Sequence, residues 1–501
     1  MMKQFNMRSG HICTFILSFG VLLTSCSDFL DETPDNRVDL DNLEKASQLL
    51  TNAYSTASYA FTDWMSDNVG WTRGTNLRPS HLEMYAWEDV TTGPTEFDTP
   101  DFYWFNTYNA IAHANEVLAI LDELPANTDE EKERKDAIES EALLTRAYGH
   151  FMLVNLFAEH TSNGTESEPG IPYVKTPETT FIGTYERESI RRVYREIEDD
   201  LLDGLELVND NFFSNSGKYH FNRNAALAFA SRFYLFRGDF VRCLDYSNRL
   251  LGTDPSSFIK DLTSTEFRNA SSSIQAYPQL YTSPDLPSNL LLMRKESLVQ
   301  RTDFSFGPNE SFYGSLFGTQ PFPETTDERE NPAFVKGDNA LFPVRYQSLF
   351  ERNSLNSNVG TPYHIAVAFT GEEVLLNKIE SNIALNNLNE AIVDLQLFVE
   401  RRYSGAAPVV TLERLRSFFG EDGNPSFTDQ LVLLNYILLE RRKEFIAQGL
   451  RWFDIKRYGF AVSHTLQDEI STIRLSADDP RKVLQIPQSA VDVGGLEPNP
   501  R

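Results

Sequence analysis

The segment between residues 64 and 76 concentrates side chains that can bind a sugar. It carries Trp64, Asp67, Trp71, Arg73 and Asn76. The flat apolar face of an indole can take the C–H face of a sugar ring, with about 0.5–1.5 kcal/mol beyond burial by analogy with aromatic pairs. Charged and amide side chains beside such a ring can hold hydroxyl groups through hydrogen bonds. The composition of this segment therefore predicts a ligand-binding loop, with Trp71 as its leading candidate contact.

Motifs that carry catalytic chemistry are missing from the sequence. It has no GxxxxGK[ST] phosphate loop, no GxGxxG fingerprint and no GxSxG nucleophile elbow. Its eight histidines form neither HExxH nor HxH, the spacings typical of zinc sites. Acidic pairs such as Glu372-Glu373 are abundant because the chain is acidic, and most of these acids are interpreted as solvated helix faces. Glycosidase action needs two carboxylates across a cleft, which no motif of this sequence indicates. We predict a binding protein that is not an enzyme, with no cofactor and no metal site.

The charge of the chain excludes one class of partner. The sequence has 45 Lys+Arg against 72 Asp+Glu, for a net charge of −27. A phosphate polymer would be repelled and no basic block is present, so we expect no nucleic-acid partner. The 501 residues exceed the roughly 250–300 at which a single core stops growing, which favours more than one packing unit.

The first 25 residues are predicted to be a signal peptide. Lys3 and Arg8 precede an apolar run from Ile12 to Leu23, about half of the ~20 residues that a membrane span needs. The run ends in LTSC, which resembles a bacterial lipoprotein signal with Cys26 as the lipidated first residue. An ordinary signal peptide followed by a chance cysteine is the alternative. Residues 26–38 would then form an acidic tether.

The three cysteines have separate fates on this interpretation. Cys13 is removed with the signal peptide, and Cys26 carries the lipid. Two or more acyl chains would anchor the protein stably to a membrane, whereas a single chain binds only marginally. Cys243 lies in an apolar helical pattern and is predicted to be buried as a small hydrophobic residue. No disulfide is expected within the mature chain.

Apolar residues recur at helical spacing over much of the chain. They predict long helices at Asp39–Tyr59, Phe102–Leu124, Thr128–Phe157, Ile190–Leu207 and Thr428–Gln448. Residues 62–100 lack this periodicity and hold three of the five tryptophans, so we predict a long functional loop. Residues 253–370 form a second irregular region, rich in proline, with predicted short strands at Asn289–Arg294 and Tyr363–Phe369.

Two further segments are predicted to be helical hairpins. One pairs residues 224–236 with 240–251, and the other pairs residues 371–384 with 388–401. Small residues lie where the helices must approach closely, which resembles the tetratricopeptide unit. The spacing between the two units is irregular, so a regular solenoid is not expected. Generic helical hairpins remain the alternative.

Several short motifs follow one another in order along nearly the whole chain. They are CSDFLDE at 26–32, WFNTYNAI at 104–111, RAY at 146–148, IPY at 171–173, ERRKEF at 440–445, GLRWFDIKR at 449–457 and LQIP at 484–487. In this order they resemble the SusD/RagB family, surface lipoproteins of Bacteroidetes that capture nutrients for a TonB-dependent transporter. The acidic residues after Cys26 resemble the surface-export signal of such lipoproteins.

The resemblance implies a mostly α-helical fold. We expect a single large SusD-like globule with embedded tetratricopeptide-like hairpins, long irregular loops and a few short strands. Residues 39–252 would form its SusD-like N-terminal part, and residues 253–501 a RagB/SusD C-terminal part packed in the same globule. This expectation departs from the separate packing units that the length suggests.

The resemblance also implies a function. The expected protein is a lipid-anchored outer-membrane protein on the cell surface, which captures oligosaccharides and delivers them to a SusC-like TonB-dependent transporter. RagB-like capture of oligopeptides is the main alternative, and a protein-binding scaffold and a hydrolase stay open. By region, the family's ligand loops correspond to residues 62–100 and 253–370, which adds Tyr281, Phe312 and Tyr313 to the candidate ligand contacts.

Other prominent side chains are interpreted as structural. Trp104 and Trp452 each lie in a motif of the family and are predicted to pack in the core. Arg441, Arg451 and Lys456 are predicted to pair with acidic residues of the chain itself.

Overall fold

The computed structural model describes residues 40–501, apart from residues 76, 162–166, 179–182, 214–215, 300–304, 331–332 and 336–338. Residues Asn42–Arg501 form one compact unit. The predicted signal peptide, Cys26 and the tether lie outside the described residues, and these predictions stay predictions. The division of the globule at residue 252 also stays a prediction.

Helices make up most of the regular structure, which confirms the predicted mostly α-helical fold. The helices of the first half are α1 (Leu43–Leu50), α2 (Pro79–Tyr85), α3 (Pro100–Leu121), α4 (Asp129–Phe157), α5 (Ile190–Leu207), α6 (Arg223–Arg237) and α7 (Phe240–Leu251). Those of the second half are α8 (Thr265–Ala270), α9 (Ala276–Tyr281), α10 (Glu310–Phe317), α11 (Gly371–Ala384), α12 (Leu388–Glu400), α13 (Leu412–Phe419), α14 (Asp429–Glu444), α15 (Leu450–Tyr458) and α16 (Gln488–Asp492). Short 3₁₀ turns include Thr51–Ala53, Ala60–Met65, Asp210–Phe212, Gly217–Tyr219, Pro255–Phe258 and Pro480–Lys482.

The strands are short and pair in small antiparallel sheets. They are β1 (Gly70–Trp71), β2 (Asn289–Glu296), β3 (Phe306–Gly307), β4 (Thr325–Asp327), β5 (Ala333–Val335), β6 (Leu341–Pro343), β7 (Leu349–Arg352), β8 (Gly360–Thr370), β9 (Tyr403–Gly405), β10 (Val462–Thr465) and β11 (Thr472–Leu475). One sheet has the order β2-β8-β7, and the pairs β1-β3, β4-β9, β5-β6 and β10-β11 form two-stranded ribbons. The two strands predicted from the sequence are the inner parts of β2 and β8.

Local capping explains why the best-predicted helices have clear ends. The side chain of Ser189 accepts a hydrogen bond from the backbone of Arg192, and α5 spans the predicted Ile190–Leu207. At α4, Thr128 and Glu131 form a reciprocal capping box. Gly238 ends α6 in the left-handed conformation, which a glycine adopts without strain.

Both predicted helical hairpins are present, as α6–α7 and α11–α12. Their packing is close at Ser231, whose hydroxyl lies 2.9 Å from that of Ser247 and accepts a hydrogen bond of 3.1 Å from Asn377. Cys243 lies beside this contact and is fully buried, as predicted. Burial raises the pKa of its thiol to about 11, so the thiol is protonated at neutral pH. The likeness of the hairpins to tetratricopeptide units stays a prediction.

Two boundary predictions are wrong. The helix predicted at 39–59 ends at Leu50, with a 3₁₀ turn to Ala53, because Tyr54 turns to an extended conformation. The Tyr54 hydroxyl donates to Glu141 at 2.5 Å, and the carbonyl of Thr56 accepts from Glu296 at 2.7 Å. The loop predicted at 62–100 contains helix α2, which starts with a proline in its first turn.

A buried run of charged residues ends helix α14. Its members, residues 440–444, contact five residues from four different segments of the chain. The contacts are Glu440 to Arg329 at 2.7 Å, Arg441 to Asp454 at 3.2 Å, Arg442 to the Asn68 amide oxygen at 2.8 Å, Lys443 to Asp327 at 3.2 Å and Glu444 to Arg402 at 2.8 Å. Because buried charges are costly unless they are paired, this run fixes where those segments lie.

Most of the structural interpretations of single residues are confirmed. Trp104 and Trp452 are buried in the core, as predicted. Arg451 forms the predicted internal ion pair, with Asp67 at 2.8 Å. Arg441 also pairs with an acid of the chain. The prediction for Lys456 is wrong, because its ammonium donates to the backbone carbonyls of residues 155 and 158, at 2.6 and 2.7 Å, instead of to a carboxylate.

Two glycines with the same backbone conformation give a direct test of close packing. Gly449 (φ 78°) and Gly459 (φ 63°) are both left-handed. A methyl group on Gly459 meets no atom within 4 Å, whereas one on Gly449 would lie 2.5 Å from the Tyr59 carbonyl oxygen. We expect Gly459→Ala to cost about 1–2 kcal/mol from its conformation alone. Gly449→Ala should cost about 1–3 kcal/mol more, from overpacking.

Denaturant unfolding of the two variants measures this difference. Equal losses of unfolding free energy would contradict the close approach of Gly449 to Tyr59.

Candidate functional site

A two-stranded ribbon presents Trp71. In β1, Gly70 pairs with Gly307 and Trp71 with Phe306, so two irregular regions of the sequence meet here. The carbonyl of Trp71 accepts hydrogen bonds from the amides of Asn309 (3.4 Å) and Asn339 (3.2 Å). Two side-chain amides therefore hold the same carbonyl oxygen of Trp71, while its indole remains only half-buried.

Gly70 makes this arrangement sterically feasible. A methyl group at this position would lie 2.4 Å from the Asn309 amide nitrogen. Such a group would push the amide away from the Trp71 carbonyl. The glycine before the tryptophan thus leaves room for the Asn309 side chain, which caps α10 and reaches the Trp71 carbonyl.

Four aromatic rings pack one after another behind Trp71, and the five rings together are here called the ring ladder. Its order is Trp71, Phe306, Tyr85, His464 and Trp87, with successive centroids 5.5, 4.0, 4.1 and 4.4 Å apart. Except for Trp71, every member is buried. Phe306, the next ring of the ladder, packs against the half-buried indole of Trp71, which restricts its motion.

Hydrogen bonds at the edges of the ring ladder tie it to the backbone. The Tyr85 hydroxyl donates to the carbonyl of Thr465 at 2.7 Å, and the Trp87 indole donates to the carbonyl of Met65 at 2.8 Å. The ring nitrogens of His464 lie 2.7 and 2.8 Å from the carbonyl oxygens of residues 85 and 66. These bonds join the predicted loop to the β10-β11 hairpin.

Asp67 anchors the loop before Trp71. Arg451 donates two hydrogen bonds to its carboxylate, at 2.8 and 2.9 Å, and Arg442 approaches it at 3.5 Å. Burial raises the pKa of Asp67, but the hydrogen bonds from Arg451 and the charge of Arg442 outweigh this effect and hold the pKa at about 2. Asp67 is therefore ionised and acts as a fixed point of the loop.

Arg73 leaves the loop towards solvent and meets the β10-β11 hairpin. Its guanidinium donates two hydrogen bonds to Glu469, at 2.6 and 3.0 Å, and both side chains are about half exposed. Both residues have positive φ angles, 59° and 58°, which is unusual for residues other than glycine. The pair presents a charged, hydrogen-bonding edge in the same loop as Trp71.

The other predicted ligand contacts lie elsewhere. Trp64 is buried and stacks on His81 with centroids 4.1 Å apart. Phe312 and Tyr313 are buried in a cluster with Ile446, and Tyr281 is buried in another. Asn76 lies outside the described residues.

The structure thus brings Trp71, Asp67 and Arg73 together in one loop. Phe312 lies nearby, because the Arg442 guanidinium is 5.3 Å from its ring centre. Ligand contact by Trp64, Tyr281, Phe312 and Tyr313 remains a prediction, which their burial does not favour.

Sequence reasoning missed the partners that hold Trp71 and Arg73. Phe306, Asn309 and Asn339 come from the proline-rich region, and Glu469 comes from a hairpin near the C-terminus. Each is separated from Trp71 by more than two hundred residues. No local pattern marks such residues, since pairing over that distance leaves no periodicity in the sequence.

Two clefts open elsewhere on the described surface. One, of about 350 Å³, is lined by Trp87 at the far end of the ring ladder, together with Asp101 and Arg501. The other, of about 360 Å³, is lined by aromatic side chains that include Phe105, Tyr108 and Tyr185. The described residues contain no group of three or more His, Cys, Asp or Glu side chains that could hold a metal ion. None of the described helices is long and apolar enough to cross a membrane.

Two family models match the sequence. One, described as starch-binding and associating with the outer membrane, matches residues 28–235. The other is the model of the SusD family and matches residues 372–493. Among curated proteins, the chain is similar to a SusD-like protein of Formosa agariphila, with 20% identity over 496 residues that cover 89% of this chain and 90% of the relative.

Solved structures show the same fold. A SusD superfamily protein from Bacteroides thetaiotaomicron superimposes with a TM-score of 0.65 at 18% identity, covering 92% of this chain and 100% of that one. A SusD-like carbohydrate binding protein from Bacteroides vulgatus gives 0.65 at 17% identity, over 91% and 97%. A laminarin binding SusD-like protein gives 0.60 at 17% identity, over 92% and 99%.

The anchor role of Asp67 predicts a pH-dependent contribution to stability. We expect Asp67→Asn to lower the free energy of unfolding at pH 7 by about 2 kcal/mol, from a pKa depressed by nearly two units. Because the folded pKa of about 2 lies below that of an unfolded aspartate, ~3.9, this contribution is present above pH 4 and lost as the pH falls through about 2.

Guanidinium unfolding of both proteins between pH 7 and pH 2.5 measures the contribution. Glu469→Gln is the matched control, because it breaks a pair that is half exposed and should change stability little. A wild-type advantage that persists unchanged at pH 2.5 would argue against the ion pair as its source.

Proposed function

The chain belongs to the SusD/RagB family, and on that premise we propose that it is a non-enzymatic, cell-surface glycan-binding lipoprotein. It captures oligosaccharides and delivers them to a SusC-like TonB-dependent transporter in the outer membrane. The lipid is carried by Cys26 after removal of residues 1–25. The family models and the carbohydrate-binding relatives support a glycan as the ligand class.

The half-buried indole of Trp71 is the observation that carries the proposal. Its backbone is held by two asparagine amides and its ring rests on Phe306, so the platform is formed before the ligand arrives. A preformed site loses little conformational entropy on binding. A sugar ring stacks on the free part of the indole, and the Arg73–Glu469 pair is available to its hydroxyl groups.

The buried candidates take a supporting role in this proposal. Asp67 holds the loop through Arg451, and Phe312 packs beneath Arg442. The direct ligand contacts are then Trp71 and Arg73, with Asn76 as a predicted third.

Removal of the indole tests the ligand site. We expect Trp71→Ala to weaken glycan binding by about tenfold or more, because stacking adds about 0.5–1.5 kcal/mol to the burial of the ring. Calorimetry with the chain lacking residues 1–26 measures this, after a glycan array that includes laminarin, starch and host glycans identifies a ligand. Tyr219→Ala is the control, since Tyr219 is an exposed aromatic residue on another part of the surface.

The same measurement separates the competing functions. If the protein binds oligopeptides and none of the glycans, peptide capture would replace glycan capture as the proposed function. If wild type and Trp71→Ala bind a glycan with equal affinity, the ligand is still a glycan, but Trp71 is not its binding site. Product formation from a bound glycan would reject a purely binding role.

The transporter partner is tested in the native membrane. The tagged full-length chain, solubilised in mild detergent, should co-purify a TonB-dependent transporter of the SusC type. Cys26→Ala should lose both the lipid and the membrane fraction. Recovery of the lipid-bearing chain alone under these conditions would count against the partner.

A further inference from the structure

Arg345 differs from the other buried arginines of the described chain because no carboxylate is paired with it. In the described part of the chain, each of the other buried arginines has a carboxylate within 3.2 Å. These pairs are Arg146–Asp200, Arg232–Glu373, Arg329–Asp327, Arg402–Glu444, Arg441–Asp454 and Arg451–Asp67. Arg345 is 1% exposed and has no ion pair with a described carboxylate.

The surroundings of Arg345 leave most of its hydrogen-bonding capacity unused. One terminal nitrogen donates to the Tyr277 hydroxyl at 3.2 Å, and the guanidinium lies 5.1 Å from the ring centre of Tyr281. The Nε and Nη2 atoms are buried and have no hydrogen-bond partner among the described residues. Glu444, whose charge also acts on Arg345, is already held by two hydrogen bonds of 2.8 Å from Arg402.

A third unused donor lies beside these two. The Tyr313 hydroxyl is buried without a partner in the described structure. The segments that carry Tyr313 and Arg345 are paired, because the backbone of Leu341 donates to the carbonyl of Pro308 at 3.0 Å and Asn309 forms a β-bridge with Ala340. The Arg345 charge also acts on Tyr313, since it lowers the pKa that burial raises. Two guanidinium nitrogens and one hydroxyl group are therefore unsatisfied in the same part of the core.

The chemistry of these groups selects the kind of ligand. A guanidinium cannot lose its proton in a protein, so Arg345 cannot become neutral as a buried lysine can. An uncompensated buried charge costs several kcal/mol. A water molecule supplies only an acceptor, whereas an anion supplies both an acceptor and a negative charge in direct contact with the guanidinium, which Glu444, held by Arg402, does not give. Unsatisfied buried groups of this kind are a known mark of a bound ion or water.

We propose that Arg345 Nε and Nη2, together with the Tyr313 hydroxyl, bind a small inorganic monoanion, with chloride as the available species. The site is closed to a polymer because its donors are buried, so it is separate from the ligand loop at Trp71. The site is connected to that loop through two contacts. Phe312, next to Tyr313, packs against the Arg442 guanidinium, and Arg442 donates a hydrogen bond to Asn68 in the loop. The inference does not depend on the function proposed above.

Bromide substitution tests the anion directly. Crystals of the chain from residue 27 onward, grown in sodium bromide, should show an anomalous peak within hydrogen-bond distance of Arg345 Nε and Nη2. Arg345→Met crystals should lack the peak. In the wild type, a density peak no higher than that of a water molecule and without an anomalous signal would overturn the proposal.

Stability in solution gives the second readout. At constant ionic strength, replacement of gluconate by chloride should raise the unfolding temperature of the wild type, as expected for a ligand that binds only the folded state. Arg345→Met should lose this response. Tyr313→Phe keeps the charge and removes one donor, so its response should need several-fold more chloride, which keeps the test valid if Arg345→Met fails to fold.

A surface arginine provides the control for general salt effects. Arg237→Met breaks an exposed pair with Glu198 and should keep the wild-type chloride response. Equal chloride responses in Arg345→Met and the wild type would reject the site.

Discussion

The cost of burying charge is the constraint on which the rest of this structure depends. Residues 440–444 enter the core as five successive charged residues, and each must find a partner there. Those partners come from the segment before β1, from β4 and its following turn, from the end of α12 and from α15. One short stretch of helix thereby decides how segments that are far apart in sequence are assembled.

The fold was predictable where local signals were sufficient. Helix α5 has both a strong apolar face and a serine cap, and its predicted limits are those observed. The helix predicted at 39–59 fails because Tyr54 and Thr56 are drawn into bonds with Glu141 and Glu296, residues that its own periodicity cannot reveal. Lys456 shows the same limit, since its partners are backbone carbonyls, which no sequence displays.

The candidate site was predictable by region and only partly by residue. Tryptophans in an irregular stretch indicate a functional loop, yet Trp64 and Trp87 are buried while Trp71 is only partly buried. Composition alone cannot tell a buried tryptophan that packs in the core from one whose ring is accessible to a ligand. That distinction arises from the ring ladder and from the asparagines of the middle region, which become neighbours only after folding.

The ion pairs that hold the loop have a consequence for the order in which the protein is made. Arg73 and Glu469 are 396 residues apart, and Asp67 and Arg451 are 384 apart. A chain that leaves the ribosome from its N-terminus therefore carries the loop long before its anchors exist. The loop acquires its final form only when nearly all of the polypeptide has been synthesised. A prematurely terminated chain lacks those anchors, so the proposed ligand site can form only on a nearly complete polypeptide.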